Sequence, residues 1–180
     1  MYNDIERSLT RMLLEYFGQD SAPSFNCDRD SDMQVLFYQP ELHNRELLQE
    51  PHDDSLYMTF AKATAPGLEI LLSDGLFHKV ELDRNEVLVM PGEILALMAG
   101  YRIKPLIHQV VRYSDQKSRF SLGYFTLPNI ERGANISPWV SNNSNNHINI
   151  MDRVIHNQNQ YLVADKSQPQ EIKNLTISES

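Results

Sequence analysis

Seven short runs rich in β-branched and aromatic residues constrain this chain more than any other feature. They are Gln34 to Tyr38, Tyr57 to Ala61, Leu68 to Leu72, Leu76 to Val80, Val87 to Met90, His108 to Tyr113 and Arg119 to Phe125, each bounded by turn formers. Strands this short and this regularly spaced close into a barrel or stack as a two-sheet jelly roll, and the jelly roll is the expected architecture. Ser73-Asp74-Gly75 between two of the runs marks a tight hairpin, because glycine accepts positive φ without steric cost. Ahead of the strands, Ile5, Leu9, Met12, Leu13, Tyr16 and Phe17 recur at spacings of three and four, which predicts an amphipathic helix capped by Asn3 or Asp4 and ended by Gly18. The segment 19–31 reads as a loop.

Beyond Pro128 the regularity fades. Residues 141–149, SNNSNNHIN, form a low-complexity polar tract; a weaker strand or helix is expected over 151–163, and 164–180 reads as a polar tail. The expected organisation is one domain: a helix within 1–20 packed on a β core over 33–130, then an Asn-rich, partly irregular segment over 131–180.

Composition narrows the function. With 24 acidic and 16 basic side chains, a formal charge of −8 and no basic stripe, the chain is not expected to bind nucleic acid, which requires a surplus of Lys and Arg against phosphate. No apolar run approaches the roughly 20 residues of a membrane span, and Met1 to Ile5 does not open a leader peptide, so no membrane association and a cytoplasmic location are expected. Cys27 is the single cysteine, which excludes an internal disulfide and reads as a bystander rather than a nucleophile. Trp139, the single tryptophan, reads as an anchor for the tail.

Of six histidines, His52 and His108 have unusual surroundings. His52 and Asp54 stand two apart in Pro51-His52-Asp53-Asp54 at the mouth of an expected strand, where a period of two places both on one face. His108 opens a strand that alternates suitably to supply a third ligand. Two histidines and one carboxylate form a facial triad that binds Fe(II) and leaves open positions. An H-x-D triplet by itself also fits a solvated loop. Eleven residues after His108, Arg119 and Ser121 share a strand face, setting a guanidinium fork and a hydroxyl toward the same interior, as suits a carboxylate; an exposed strand with a salt bridge is the bland alternative. His43, His147 and His156 read as solvated and His78 as structural, while Tyr57, Phe60 and Phe125 are left undecided between core and pocket. H-E-x-x-H, G-x-S-x-G, Walker and G-x-G-x-x-G motifs are absent.

From about Met33 to Ile130 the chain resembles the non-haem iron, 2-oxoglutarate-dependent dioxygenases of the isopenicillin N synthase-like group. H-x-D, a later His, then R-x-S are met by His52, Asp54, His108, Arg119 and Ser121. Phe37-Tyr38-Gln39-Pro40 resembles the family's Tyr-Pro segment, Gly67-Leu68-Glu69-Ile70 its Gly-Leu-Gln-Val strand and Pro91-Gly92-Glu93 its Gly-Asp turn. The resemblance implies a double-stranded β-helix with Fe(II) held by His52, Asp54 and His108. It also implies 2-oxoglutarate held by Arg119, Ser121 and Tyr38. With O₂, oxidative decarboxylation to succinate and CO₂ would drive oxidation of a small organic substrate.

Departures accompany the matches. The family's region before the helix has no counterpart in this sequence, so the expectation is a compact variant, part of a longer protein or a remnant. An uncovered sheet edge would then invite self-association or a partner. Gln109 stands where the family commonly has Arg, and Leu36 where it commonly has Asn. The alternative function is a catalytically silent jelly-roll module for binding or assembly. A cupin-type metalloprotein fits less well, since H-x-H is absent and R-x-S is present.

Overall fold

The computed structural model describes residues 2–19, 31–39, 46–113, 118–127, 135–136, 139–140 and 148–149. A first helix, α1 (Tyr2–Tyr16), precedes β1 (Asp32–Tyr38), β2 (Leu47–His52), β3 (Met58–Ala63), β4 (Leu68–Leu71), β5 (Phe77–Lys79) and β6 (Leu88–Pro91). A short helix α2 (Glu93–Met98) follows, then β7 (His108–Val111), β8 (Arg119–Thr126), β9 (Asn135–Ile136) and β10 (Ile148–Asn149). Two four-stranded antiparallel sheets, ordered β1-β8-β3-β6 and β2-β7-β4-β5, form the body. From β1 to β8 successive strands alternate between the two sheets, save the β4-β5 hairpin within one of them, which is the winding of a double-stranded β-helix, the expected jelly roll.

Four elements differ from the sequence reading. Strand β2 did not stand out because its LLQEPH carries Gln, Glu and Pro and its register with β7 shifts twice, so neither period nor β-propensity marks it. Helix α2 is too short to show a period. The pair β9 and β10 puts two-residue strands in a region expected to be largely irregular, one of them at the end of the Asn-rich tract. The weak element expected over 151–163, the tail 164–180, Cys27 and the histidines at 43, 147 and 156 lie outside the described residues.

Helix α1 is already helical at Tyr2, two residues before a cap at Asn3 would let it start, and only part of its expected face packs inward. Glu6, Thr10 and Leu14 are buried, whereas Ile5, Met12 and Tyr16 are exposed. Both stripes carry apolar residues, so period alone could not choose. Thr10 Oγ1 donates to Glu6 Oε1 at 2.9 Å and, its one proton used, accepts from Tyr57 Oη at 2.9 Å. Tyr2 on the same face stacks on Tyr124, centroids 5.4 Å apart, and meets Phe60 at 5.6 Å. A buried polar trio and an aromatic cluster thus share the inward side with Leu9, Leu13 and Phe17, which pack against the core, while Ile5, Met12 and Tyr16 of the expected stripe are left exposed.

The packed core lies outside the roll. Met58 and Phe60 point from β3 toward Leu14, Ile94, Leu95 and Met98 of the two helices. Trp139 completes this layer: its ring meets Phe17 at 5.5 Å and its backbone N–H donates to Met98 O at 2.7 Å, the anchoring role expected for it. Tyr57 and Phe60 therefore belong to the core. Intervening residues Thr59 and Ala61, with Phe125 from β8, face the interior between the sheets, which encloses a cavity of about 1050 Å³. Period-two alternation gives the central sheet one dry face and one hollow face.

Candidate metal centre

His52 closes β2 and His108 opens β7, and the two stand opposite each other in the ladder. Their rings lie 4.3 Å apart at 52°. Asp54 follows two residues after His52, in the connection leading into β3; what differs from the sequence reading is that His52 ends β2, so the two do not sit on one face of a single strand. One potential ligand atom from each of His52, Asp54 and His108 lies within 4.8 Å of the others. The Asp54 and His108 side chains are 12% and 7% exposed, and His108 Nε2 is 3.9 Å from Asp54 Oδ1, beyond a hydrogen bond.

The donor set fits a divalent cation on three observations. His52 Nδ1 faces Glu50 O at 2.7 Å and His108 Nδ1 faces Leu106 O at 3.1 Å. A carbonyl only accepts, so each Nδ1 bears the proton and each Nε2 offers its lone pair to the cavity. Second, Asp54 Oδ2 is buried with no hydrogen-bond partner among the described residues, a position that costs a carboxylate dearly unless a cation satisfies it. Third, burial pushes the His108 imidazole below its ordinary range, with Asp54 pulling the other way, so the neutral, ligating form is favoured.

The Asp54 segment is held by α2, which the sequence reading missed. Glu93 N–H donates to Asp54 O at 2.8 Å, Ile94 N–H to Leu56 O at 3.2 Å and Gly92 N–H to Tyr57 O at 3.0 Å. A Cβ on Gly92 would stand 2.0 Å from Leu56 O and 2.8 Å from Asp54 O, both backbone atoms that cannot yield alone. Gly92→Ala is expected to lower stability by about 2 kcal/mol or more and Tm by roughly 4–8 °C, read by thermal unfolding. An unchanged Tm would show that the Asp54 segment is not clamped by this contact.

Across the cavity, β8 carries Arg119 and Ser121 and β1 ends in Tyr38, which pairs with Arg119 in the ladder. Arg119 is 1% exposed. Its Nε donates to Ala65 O at 3.0 Å, its Nη1 donates to Ser121 Oγ, and its guanidinium carbon lies 5.3 Å from the Tyr38 ring centroid. Gly67 packs against this group: an added Cβ would sit 2.7 Å from Val111 O and 3.5 Å from Arg119 Nε, at a φ of +131°. Burial lowers the Arg119 pKa and raises that of Tyr38, each opposed by the other's charge, so Tyr38 keeps its phenolic proton as a donor. All six sequence-predicted residues, His52, Asp54, His108, Arg119, Ser121 and Tyr38, line the one cavity.

Gln49, not singled out from the sequence, joins the two groups. Tyr38 Oη donates to its Oε1 at 2.7 Å, and its Nε2 lies 3.0 Å from His52 Nε2. Its position three residues before His52 in an irregular strand carries no periodic signal.

Solved structures show the same fold. One is a full-length Neurospora crassa protein in complex with alpha-KG and 5-formyluracil, at 21% identity and a TM-score of 0.71, covering 86% of this chain and 55% of that one. Another is the dioxygenase for auxin oxidation 1 from Arabidopsis thaliana bound to 2-oxoglutarate, at 23% identity and a TM-score of 0.62, covering 72% of this chain and 49% of that one. In sequence, a 2-oxoglutarate-dependent dioxygenase of Gibberella zeae is 28% identical over 104 residues, 56% of this chain and 31% of the relative. The chain thus spans about a third of that curated relative and about half of the solved ones. The model of the 2OG-Fe(II) oxygenase superfamily matches residues 29–128, the stretch that builds both sheets from β1 to β8. By that match over more than half its length, the chain belongs to the 2OG-Fe(II) oxygenase superfamily.

Proposed function

We propose that this protein is an Fe(II)- and 2-oxoglutarate-dependent oxygenase that oxidises a small organic molecule with release of succinate and CO₂. The convergence of His52, Asp54 and His108 on one point of the cavity, with Asp54 Oδ2 buried and without a hydrogen-bond partner among the described residues, carries the reading. In this role the three side chains hold Fe(II). Bound there, the metal supplies the chelation of a 2-oxo acid and the activation of O₂.

The chain's own contribution is position and dryness. Arg119 takes the distal carboxylate of 2-oxoglutarate, with Ser121 and Tyr38 completing the grip; the fork is preformed by its bonds to Ala65 and Ser121. Cavity walls of Leu36, Leu68, Met90, Val110 and Phe125 exclude water around the reacting end. Membership of the isopenicillin N synthase-like group and a cytoplasmic setting belong to the same proposal, as does the division into a helix over 1–20, a catalytic roll over 33–130 and a C-terminal segment over 131–180. The Neurospora relative, crystallised with thymine in one complex and 5-formyluracil in another, supports a compact organic substrate.

A silent jelly-roll module is the second reading, favoured by the outer face of the β1 edge. Met33, Val35, Phe37 and Phe120 are exposed there, with Phe37 and Phe120 stacked at 4.4 Å, a surface suited to a second copy or a partner. An anaerobic titration with Fe(II) and then 2-oxoglutarate separates the two. A visible charge-transfer band on adding 2-oxoglutarate is expected of the oxygenase; folded protein that binds neither is the module.

A further inference from the structure

We propose that Gln49 is a positioning residue that trades metal affinity for cosubstrate affinity: its side-chain amide competes with the metal for His52 and, once displaced, turns to the 2-oxo acid. The inference rests on the iron and 2-oxoglutarate reading above and deepens it. Three contacts define the geometry. His52 Nδ1 donates to Glu50 O, so His52 Nε2 carries the ring's lone pair. Gln49 Nε2 lies 3.0 Å from that atom and is the donor, while Gln49 Oε1 accepts from Tyr38 Oη at 2.7 Å. The orientation of the amide is therefore fixed from both ends.

A lone pair that accepts a hydrogen bond cannot also ligate a metal. The Gln49 bond to His52 and a metal bond at the same Nε2 exclude each other, and metal binding must break the former. Tyr38 ties the other end of the amide, and the Tyr38 ring lies against Arg119. The chain Arg119, Tyr38, Gln49, His52 thus spans the cavity from the carboxylate fork to the metal ligands, crossing from the β1-β8 sheet to the β2-β7 sheet. An anion reaching from the metal to Arg119 follows the same path. When metal binding frees its NH₂ group, Gln49 keeps Tyr38 over Arg119 and presents a donor to that anion. A side chain of equal reach without an amide does neither.

The position therefore exerts opposite effects on two constants. Gln49→Leu is expected to bind Fe(II) alone about fivefold more tightly and, once loaded with Fe(II), to bind 2-oxoglutarate about tenfold more weakly. Anaerobic calorimetry with Fe(II), followed by 2-oxoglutarate titration on the charge-transfer band, reads both in the full chain. Gln49→Met repeats the measurement in a side chain of the same length should the leucine variant fail to fold. A residue that only packs would shift both constants the same way, or shift Tm alone; either result, or two unchanged constants, overturns the proposal. Folded wild type and variants that all bind no Fe(II) would overturn the iron reading itself, and this inference with it.

Discussion

His108→Ala is expected to weaken Fe(II) binding by about 100-fold or more, the largest effect a single change should have on this chain. His108 supplies one of three converging ligand atoms, and it arrives ready: its Nδ1 is anchored on Leu106 O, it is 6% exposed, and burial keeps the ring neutral. No proton has to leave and no rotamer has to be found before it ligates. Its removal leaves His52 and Asp54, two donors on one short segment, with two of the three positions of a facial set and no opposing strand to hold the ion. Two donors cannot impose that geometry, so water would complete the sphere and the ion would exchange freely. The sheets should persist, because His108 lies at the start of β7 and the packed core is on the far side of the other sheet. Anaerobic Fe(II) titration beside far-ultraviolet circular dichroism checks both halves. Unchanged affinity in folded protein would remove His108 from the ligand set.

What sequence could and could not reveal divides along physical lines. Strands with alternating apolar residues and strong turns declared themselves, and the Ser73-Asp74-Gly75 hairpin closes as read, with Leu72 N–H donating to Leu76 O at 3.1 Å. His52, Asp54, His108, Arg119 and Ser121 were legible because motif spacing survives whatever the strands between them do. Strand β2 was not, since its Gln49 lines the cavity and its exposed Glu50 and Pro51 fall in a bulged register rather than a regular ladder. The same irregularity concealed Gln49. The inward face of α1 was legible only in part: Leu9, Leu13 and Phe17 of the apolar stripe pack on the core, but Ile5, Met12 and Tyr16 do not, and the hydrogen bonds of Glu6, Thr10 and Tyr57 that bring polar residues inward exist only after the chain has folded. Polar groups buried against one another look, in one dimension, like a solvent face. Gly92 illustrates the remaining gap, because its need for a missing Cβ arises from the carbonyls of Asp54 and Leu56, some 40 residues upstream.

Arg119→Leu is expected to weaken 2-oxoglutarate binding about a thousandfold while leaving Fe(II) affinity within a few-fold of the parent. Of the five guanidinium N–H donors, the described contacts use Nε on Ala65 O and one at Nη1 on Ser121 Oγ, which leaves a preorganised fork for a carboxylate. Two charge-assisted hydrogen bonds in a water-poor cavity contribute about 4 kcal/mol together, and that sets the scale of the loss. Leucine would also leave Ala65 O without its donor, so a modest fall in Tm accompanies the loss. Arg119→Lys keeps the positive charge but not the fork and should recover only part of the affinity, about tenfold to a hundredfold below the parent. The proposed metal ligands come from β2, β7 and the Asp54 connection, none of which Arg119 contacts in the described hydrogen bonds, so Fe(II) should bind almost as before. It is this separation that tests the assignment. If Fe(II) and 2-oxoglutarate affinities fell together in Arg119→Leu, Arg119 would be a support of the whole cavity rather than the group that grips the cosubstrate, and the lysine variant would then track Tm instead of the carboxylate.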